Sequence, residues 1–271
     1  MSGTAGLGKT ERENLARVLR ATKGTITVGD VARALSVSRV AASKMISRWA
    51  RKGWVSRARR GLYLPVPLEA RTADVPLEDP WVVAERLFTP CYLGGWTAAE
   101  HWGLTEQIFA TIVVMTTRRP RDRSPEIKGI RFAVHTIPEE ALFGLKAAWR
   151  GQIKVRVSDP SRTVVDMLSD PAVGGGVRHV ADVFRTYLAS EDRSLELLLD
   201  YAQRLGNGAV FKRLGFLLER FAPEEEEALH TCRRSLTQGT AKLDPLLSNE
   251  RLATRWRLWV PESWKQEAGR G

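Results

Sequence analysis

The sequence Leu35-Ser36-Val37-Ser38-Arg39, followed by Lys52-Gly53-Trp54-Val55, brackets the segment that decides the fold of the first part of the chain. Between the two strings, apolar residues recur at helical spacing and predict a helix over residues 38–52. Ser38 is a favourable N-cap residue, and Gly53 stands where glycine ends a helix in the left-handed conformation. A short turn, a capped amphipathic helix and a terminating glycine are typical of a helix-turn-helix motif.

The residues on both sides of this helix predict a winged form of the motif. In chain order they predict a helix, a short strand, a second helix, the central helix and a hairpin: residues 11–22, 25–28, 30–35, 38–52, and 54–57 with 61–64. Asp30 is expected to cap the second helix, and Pro65 and Pro67 close the unit. We therefore predict a winged helix-turn-helix domain over residues 1–67.

The distribution of charge supports this prediction. The net charge is +11, from 42 Lys and Arg against 31 Asp and Glu. Residues 1–67 hold 14 of the basic and 3 of the acidic residues, so the remainder is neutral, with 28 of each. A basic segment on an otherwise neutral protein is typical of nucleic-acid binding, although a basic soluble arm would give the same count.

The predicted helix over residues 38–52 has one apolar and one basic face. The apolar face packs against the first two helices, and the opposite face is exposed. The candidate DNA-binding residues on the helix are Ser38, Arg39, Val40, Ser43, Lys44, Ser47, Arg48 and Arg51, and those on the hairpin are Arg57, Arg59 and Arg60. The alternative for a single helix of this kind is a solvated basic face, but the order of turn, cap, glycine and basic hairpin favours DNA.

The N-terminal half of such a helix meets base edges in the major groove of double-stranded DNA. Arg39 can donate two hydrogen bonds to guanine, and Ser43 or Ser47 can pair with either kind of base. The other basic residues of the helix suit phosphates, where charge matters more than geometry. The hairpin arginines suit phosphates or a flanking minor groove.

The rest of the chain predicts a separate, larger domain. Prolines among small and acidic residues predict a linker at 68–80, and residues 81–271 mix helical and strand patterns. The predicted helices are 80–88, 96–102, one that starts at Pro160 behind the N-cap Asp159, 178–189, 194–205, 210–221 and 224–236, and the predicted strands are 111–115, 130–136, 152–157 and 255–260. The fold class is therefore α+β: an N-terminal winged helix-turn-helix, then a mixed α/β domain with a helical C-terminal part.

Several classes of protein are disfavoured. No apolar run is long enough to span a membrane and residues 1–7 lack an apolar signal core, so a cytoplasmic protein without a membrane partner is expected.

The sequence also disfavours a disulfide and an enzyme site. Cys91 and Cys232 could form one disulfide, but two reduced buried thiols are favoured. Asp122, Glu126 and Lys128 lie too close in sequence for a nuclease metal site. We predict no enzyme, no catalytic residue, no metal and no cofactor.

Sequence strings along nearly the whole chain resemble one family. They are Arg60-Gly61-Leu62-Tyr63-Leu64-Pro65, residues 92–104 from Tyr92-Leu93-Gly94-Gly95-Trp96 to Gly103-Leu104, Ile112-Val113-Val114, residues 157–168 from Val157-Ser158-Asp159-Pro160-Ser161-Arg162 to Met167-Leu168, Pro171 with Gly174-Gly175, the paired helices over 180–218, and Trp256-Arg257-Leu258. In this order and spacing they resemble the AbiEi antitoxins of bacterial type IV toxin–antitoxin systems, first described as abortive-infection (phage-defence) proteins.

The resemblance implies two tasks. The N-terminal domain would bind inverted repeats in the promoter of its own operon and repress it, and residues 81–271 would neutralise a nucleotidyltransferase-like toxin, with or without a direct complex. We expect a monomer in solution that pairs on operator DNA. Two alternatives stay open: a stand-alone transcriptional regulator whose second domain senses a ligand or protein, and, more distantly, a nucleic-acid enzyme with a DNA-binding guide domain.

The sequence gives a weaker signal for a surface that acts on the toxin than for the DNA-binding residues. Its candidate residues are Arg118, Arg119, Arg121 and Arg123 in one basic loop, together with Arg162 and Asp166, which are spaced for an ion pair on one helix. A solvated loop and a structural ion pair are the simpler interpretations. Trp96, His101 and Trp102 are expected to pack in the core.

Overall fold

The computed structural model describes residues 8–22, 25–59, 61–66, 79–120, 122–127, 129–151, 153–248 and 250–264 of the 271-residue chain. Contacts divide the chain into two compact units. The first holds residues 1–89, 124–132 and 148–155, and the second holds 90–123, 133–147 and 156–271. Most of the predicted linker, 68–78, lies outside the described residues, so the division at 67 and 80 stays a prediction.

The N-terminal elements follow the predicted order. They are α1 (Lys9–Ala21), β1 (Ile26–Thr27), α2 (Val28–Leu35), α3 (Arg39–Arg51), β2 (Val55–Arg59), β3 (Leu62–Pro65) and α4 (Pro80–Phe88). The three strands form an antiparallel sheet in the order β1-β3-β2, with Ile26 opposite Tyr63. A third helix followed by a two-stranded hairpin is the winged helix-turn-helix arrangement.

The helix ends explain why these segments stop and start where they do. Ser38 caps α3 as predicted, because its hydroxyl oxygen accepts a hydrogen bond from the backbone N–H of Ala41 at 3.2 Å. Gly53 follows α3 with a φ of 77°, and the N–H groups of Gly53 and Trp54 close the last turn onto the carbonyls of Ala50 and Trp49. Helix α2, which precedes the turn, has a different N-cap residue from the one predicted.

The predicted N-cap of α2, Asp30, is wrong by three residues. Thr27 is the N-cap: its hydroxyl oxygen accepts from the N–H of Asp30 at 3.1 Å, and the Asp30 carboxylate accepts from the N–H of Thr27 at 3.0 Å. This reciprocal pair is a capping box. The predicted strand 25–28 is correspondingly shorter, since Val28 already belongs to α2.

The core of the first unit is built on α3. Trp49 is 1% exposed, and Ile46 and Ala42 lie on the same buried face. They belong to one apolar cluster with residues from α1, α2 and the strands: Leu15, Val18, Ile26, Val31, Val55 and Tyr63. The rotation of α3 about its axis is therefore fixed by packing, and with it the identity of the residues that face outward.

The elements after α4 form the mixed part of the fold. They are β4 (Cys91–Leu93), α5 (Gly95–His101), β5 (Thr111–Thr116), β6 (Glu126–Ile127), β7 (Ile130–Thr136), β8 (Leu145–Arg150), β9 (Ile153–Ser158), α6 (Pro160–Ser169), α7 (Val177–Ala189), α8 (Leu195–Leu205), α9 (Gly208–Phe221), α10 (Glu226–Arg234), β10 (Ala241–Lys242), β11 (Arg251–Ala253) and β12 (Leu258–Val260). A six-stranded sheet has the order β6-β7-β5-β4-β9-β8, and a smaller sheet has the order β10-β12-β11. The pair β4–β5 is antiparallel, with Tyr92 opposite Met115, whereas β4 and β9 run parallel.

Helix α6 lies at the centre of the helical part. Every residue from Pro160 to Leu168 is buried, and α5, α7, α8 and α9 all contact it. Asp159 caps it as predicted, accepting a 2.8 Å hydrogen bond from the N–H of Arg162, with Pro160 in the first turn. A helix that is buried on all sides has to accommodate its polar side chains within the core.

Two other predictions need correction. The strand predicted over 255–260 is divided: a short 3-10 helix, Thr254–Trp256, and Arg257 with a φ of 50° precede β12. His101, expected in the core, is exposed. Trp96 and Trp102 are partly buried and pack against the core, as expected.

The two cysteines, Cys91 and Cys232, are buried and not joined in a disulfide. Burial raises the pKa of the Cys232 thiol to about 12. No helix within the described residues is long and apolar enough to cross a membrane.

We predict that Gly215→Ala destabilises the second unit by about 1–3 kcal/mol, the usual cost of overpacking a core. A Cβ atom at Gly215 on α9 would overlap the indole ring of Trp256, which is 1% exposed. Urea unfolding followed by circular dichroism measures the change. The control is Gly239→Ala, where no described heavy atom lies within 4 Å of the added carbon. Equal stability of the two variants would contradict the packing described for α9.

Candidate nucleic-acid interface

The face of α3 opposite Trp49 is exposed and basic. Every predicted DNA-binding residue of this helix and its cap is exposed in the structure: Ser38, Arg39, Val40, Ser43, Lys44, Ser47, Arg48 and Arg51. We call these residues the α3 face. Helix α3 contains four basic side chains and no Asp or Glu, so its positive charge is not offset by acidic residues of the helix itself. Such a face attracts a polyanion.

A carboxylate from α1 approaches the C-terminal end of the α3 face. Glu11 pairs with Lys52 at 2.5 Å and with Arg48 at 3.5 Å. The hydrogen bond from Lys52 is the main cause that lowers the pKa of Glu11 below its ordinary value of 4.5, and the hydrogen bond and charge of Arg48 add to it. Glu11 is therefore ionised at neutral pH and offsets part of the charge of Lys52 and Arg48, whereas Arg39 and Lys44 lie nearer the N-terminal end of the helix.

The hairpin adds basic charge beside the helix. Arg57 is exposed on β2, and the pairing of β2 with β3 shifts register between Arg57 and Arg59. This bulge extends β2 to Arg59, where the sequence predicted a turn from Ala58. The side chain of Arg59 and the whole of Arg60 lie outside the description, so their contacts with DNA stay predictions.

Three helices, a hairpin and an outward basic third helix define this unit as a winged helix-turn-helix of the kind found in transcriptional regulators. Residues 13–66 match a family model described as "Transcriptional regulator, AbiEi antitoxin", which confirms the predicted resemblance over this stretch. The match begins within α1, runs to the end of β3 and includes all of α3.

Comparison with solved structures extends the similarity of fold to nearly the whole chain. The crystal structure of the RV2827C protein from Mycobacterium tuberculosis superposes with a TM-score of 0.62 at 19% sequence identity, over 95% of this chain and 93% of that one. At this identity the likeness concerns the fold alone. No curated protein matches the chain.

The basic loop after β5 is exposed where it is described. Arg118, Arg119 and Arg123 all point to solvent, and Arg121 lies outside the described residues. The loop is held by its backbone: the N–H of Arg118 donates to the Thr116 hydroxyl, and the N–H of Val134 donates to the carbonyl of Arg123. The exposed side chains of Arg118, Arg119 and Arg123 are therefore accessible to a partner.

Arg162 and Asp166 do not belong to a surface, and that part of the prediction is corrected. Arg162 is 0% exposed and donates to Asp166 at 2.9 Å and to the Tyr92 hydroxyl at 2.9 Å, while the Tyr92 hydroxyl donates to the other oxygen of Asp166 at 2.9 Å. Burial, reinforced by the charge of Asp166, raises the pKa of Tyr92 well above its ordinary value of 10.0. The predicted ion pair exists, but it is closed off inside the core.

Sequence reasoning missed two of the residues that shape these sites. Glu11 is one of only three acidic residues in 1–67, and that scarcity was the available signal for its pairing with the α3 face. Tyr92 lies 70 residues before Arg162, and no periodic pattern could link the two.

We predict that Arg162→Met destabilises the protein by about 3–5 kcal/mol, because it leaves the Asp166 carboxylate buried without its cation. The matched control is Arg185→Met, which breaks the exposed pair between Arg185 and Asp182 on α7 and is expected to cost about 0–1 kcal/mol. Chemical denaturation compares the two. Similar small losses for both variants would mean that Arg162 is not buried as described.

Proposed function

We propose that this protein is an autoregulating antitoxin, which represses its own operon by binding inverted repeats in the promoter and neutralises a nucleotidyltransferase-like toxin. The observation that carries the proposal is the exposed α3 face, whose charged side chains are all basic, in a stretch that matches antitoxin regulators. The unequal distribution of charge supports it, since the first 67 residues hold the whole net charge of +11.

DNA recognition divides the α3 face into two parts. The N-terminal part enters the major groove, where Arg39 donates two hydrogen bonds to guanine and Ser43 contacts a base edge. Ser47 lies one turn farther on the same side. Lys44, Arg51 and the exposed Arg57 of the hairpin bind phosphates, which position the domain without reading sequence.

Arg48 has to exchange its partner on binding. In the free protein it lies 3.5 Å from Glu11, and a phosphate would take the place of that carboxylate. An exposed ion pair of this kind contributes little to stability, so the exchange costs little free energy.

An inverted repeat presents two half-sites. Two copies of a monomer can occupy them, with cooperativity that comes from DNA bending.

Neutralisation of the toxin is assigned to the part of the chain after the linker. The exposed arginines Arg118, Arg119 and Arg123 are its candidate surface, and they suit an acidic partner or a nucleic acid. Direct binding of the toxin is not required by the proposal.

We predict that Arg39→Ala weakens binding to the operator by about 1–3 kcal/mol but leaves binding to random DNA nearly unchanged, because a base contact is lost. Lys44→Ala should weaken both equally and lower the slope of log K against log salt by about 1. Fluorescence anisotropy over a salt series separates the two patterns. Arg33→Ala, on the exposed side of α2, is the control. Equal losses on operator and random DNA for Arg39→Ala would defeat the base-reading role.

We predict that the full chain rescues growth when the neighbouring gene product arrests it. The double variant Arg39→Ala with Lys44→Ala, expressed from an unrelated promoter, should rescue as well, because neutralisation does not need DNA binding. Alanine at Arg118, Arg119 and Arg123 should abolish rescue and leave operator binding intact. Colony counts after induction measure the effect. No rescue by any soluble version would leave a stand-alone transcriptional regulator.

A further inference from the structure

Val40 is an unusual member of the α3 face. It is 67% exposed, in the second position of α3, beside Arg39 and one helical turn before Ser43 and Lys44. Within the described residues of the winged helix-turn-helix, 8–66, the other exposed large apolar side chain is Leu19, at 36%. Val40 thus presents its two methyl groups to solvent where the helix is expected to meet DNA.

The chemistry of the other exposed residues limits which bases α3 can read. The helix contains no Asn or Gln, which pair with adenine, and no Asp or Glu, which accept from the amino group of cytosine. Arg39 suits the acceptors of guanine, Lys44 is assigned to a phosphate, and the serines discriminate weakly. The apolar group that the major groove offers is the 5-methyl group of thymine, and Val40 is the apolar side chain on the outward face of α3.

We propose that Val40 contacts the 5-methyl group of a thymine in each operator half-site, next to the guanine read by Arg39. The inference rests on the proposed function and adds a second base to it. Since the two residues are consecutive on the helix, with a rise of about 1.5 Å, their contacts fall on neighbouring base pairs. The contact removes one methyl group and part of Val40 from water, which corresponds to about a fourfold gain in affinity.

The variant Val40→Ala is suited to a test because it does not threaten the fold. Val40 lies outside the apolar cluster that holds the first unit together. Alanine is also a better helix former than valine, so α3 is expected to persist. Leu19→Ala, which shortens an exposed aliphatic side chain on α1, is the matched control.

The experiment begins with the full-length protein and a randomised duplex library, from which the preferred site is selected and sequenced. Each thymine of that site is then replaced by uracil, which removes only the methyl group, and affinities are measured for the wild type, Val40→Ala and Leu19→Ala. We expect one thymine per half-site, adjacent to a guanine, at which uracil weakens wild-type binding about fourfold. The Val40→Ala variant should lose that penalty, and Leu19→Ala should keep it.

The outcomes separate this contact from the proposed function. A selected site at which no uracil substitution matters, or at which Val40→Ala retains the full penalty, overturns the thymine contact and leaves DNA binding intact. A library that yields no enriched sequence overturns the proposed operator binding, and the contact with it.

Discussion

The burial of Trp49, Ile46 and Ala42 is the constraint on which the candidate DNA-binding surface depends. These three side chains fix the rotation of α3 against α1, α2 and the hairpin, and removal of a buried tryptophan of this kind costs about 3–5 kcal/mol. Because the apolar stripe is committed to the core, the other side of the helix has to face outward. That side carries only basic, hydroxyl and one aliphatic side chain, a set that suits a polyanion such as DNA.

In the second unit, two arginine side chains are buried in the interior instead of facing outward. Arg162 is paired with Asp166 and Tyr92 in the interior, and Arg213 is buried with its donors on the carbonyls of Leu168 and Lys242. Burial of such groups is tolerated because each guanidinium nitrogen has an acceptor. These arginines stabilise the packing around α6, whereas the exposed arginines of α3 and of the loop after β5 are available to partners.

Local patterns allowed much of the fold to be predicted, and long-range contacts account for the rest. Ser38, Gly53 and Asp159 could be placed because a cap depends on its immediate neighbours. Strand β4 was missed, since three residues buried on both faces show no alternation. Burial of Arg162 could not be foreseen, because its partner Tyr92 is distant in sequence. The exposure of the α3 face could be predicted because one amphipathic period determines it. The hairpin could be predicted as well, except that a bulge shifts its register and β2 runs on to Arg59.

Tethered cleavage from α3 tests the central claim most directly. Ser43→Cys places a thiol on the α3 face, and an iron chelate that cleaves nearby DNA can be attached there selectively, because Cys91 and Cys232 are buried. On promoter DNA the account predicts two clusters of cleavage, one in the major groove of each half of an inverted repeat. In labelled protein that still binds the promoter, cleavage no more localised than that of the free chelate would contradict the assignment of α3 as the recognition helix.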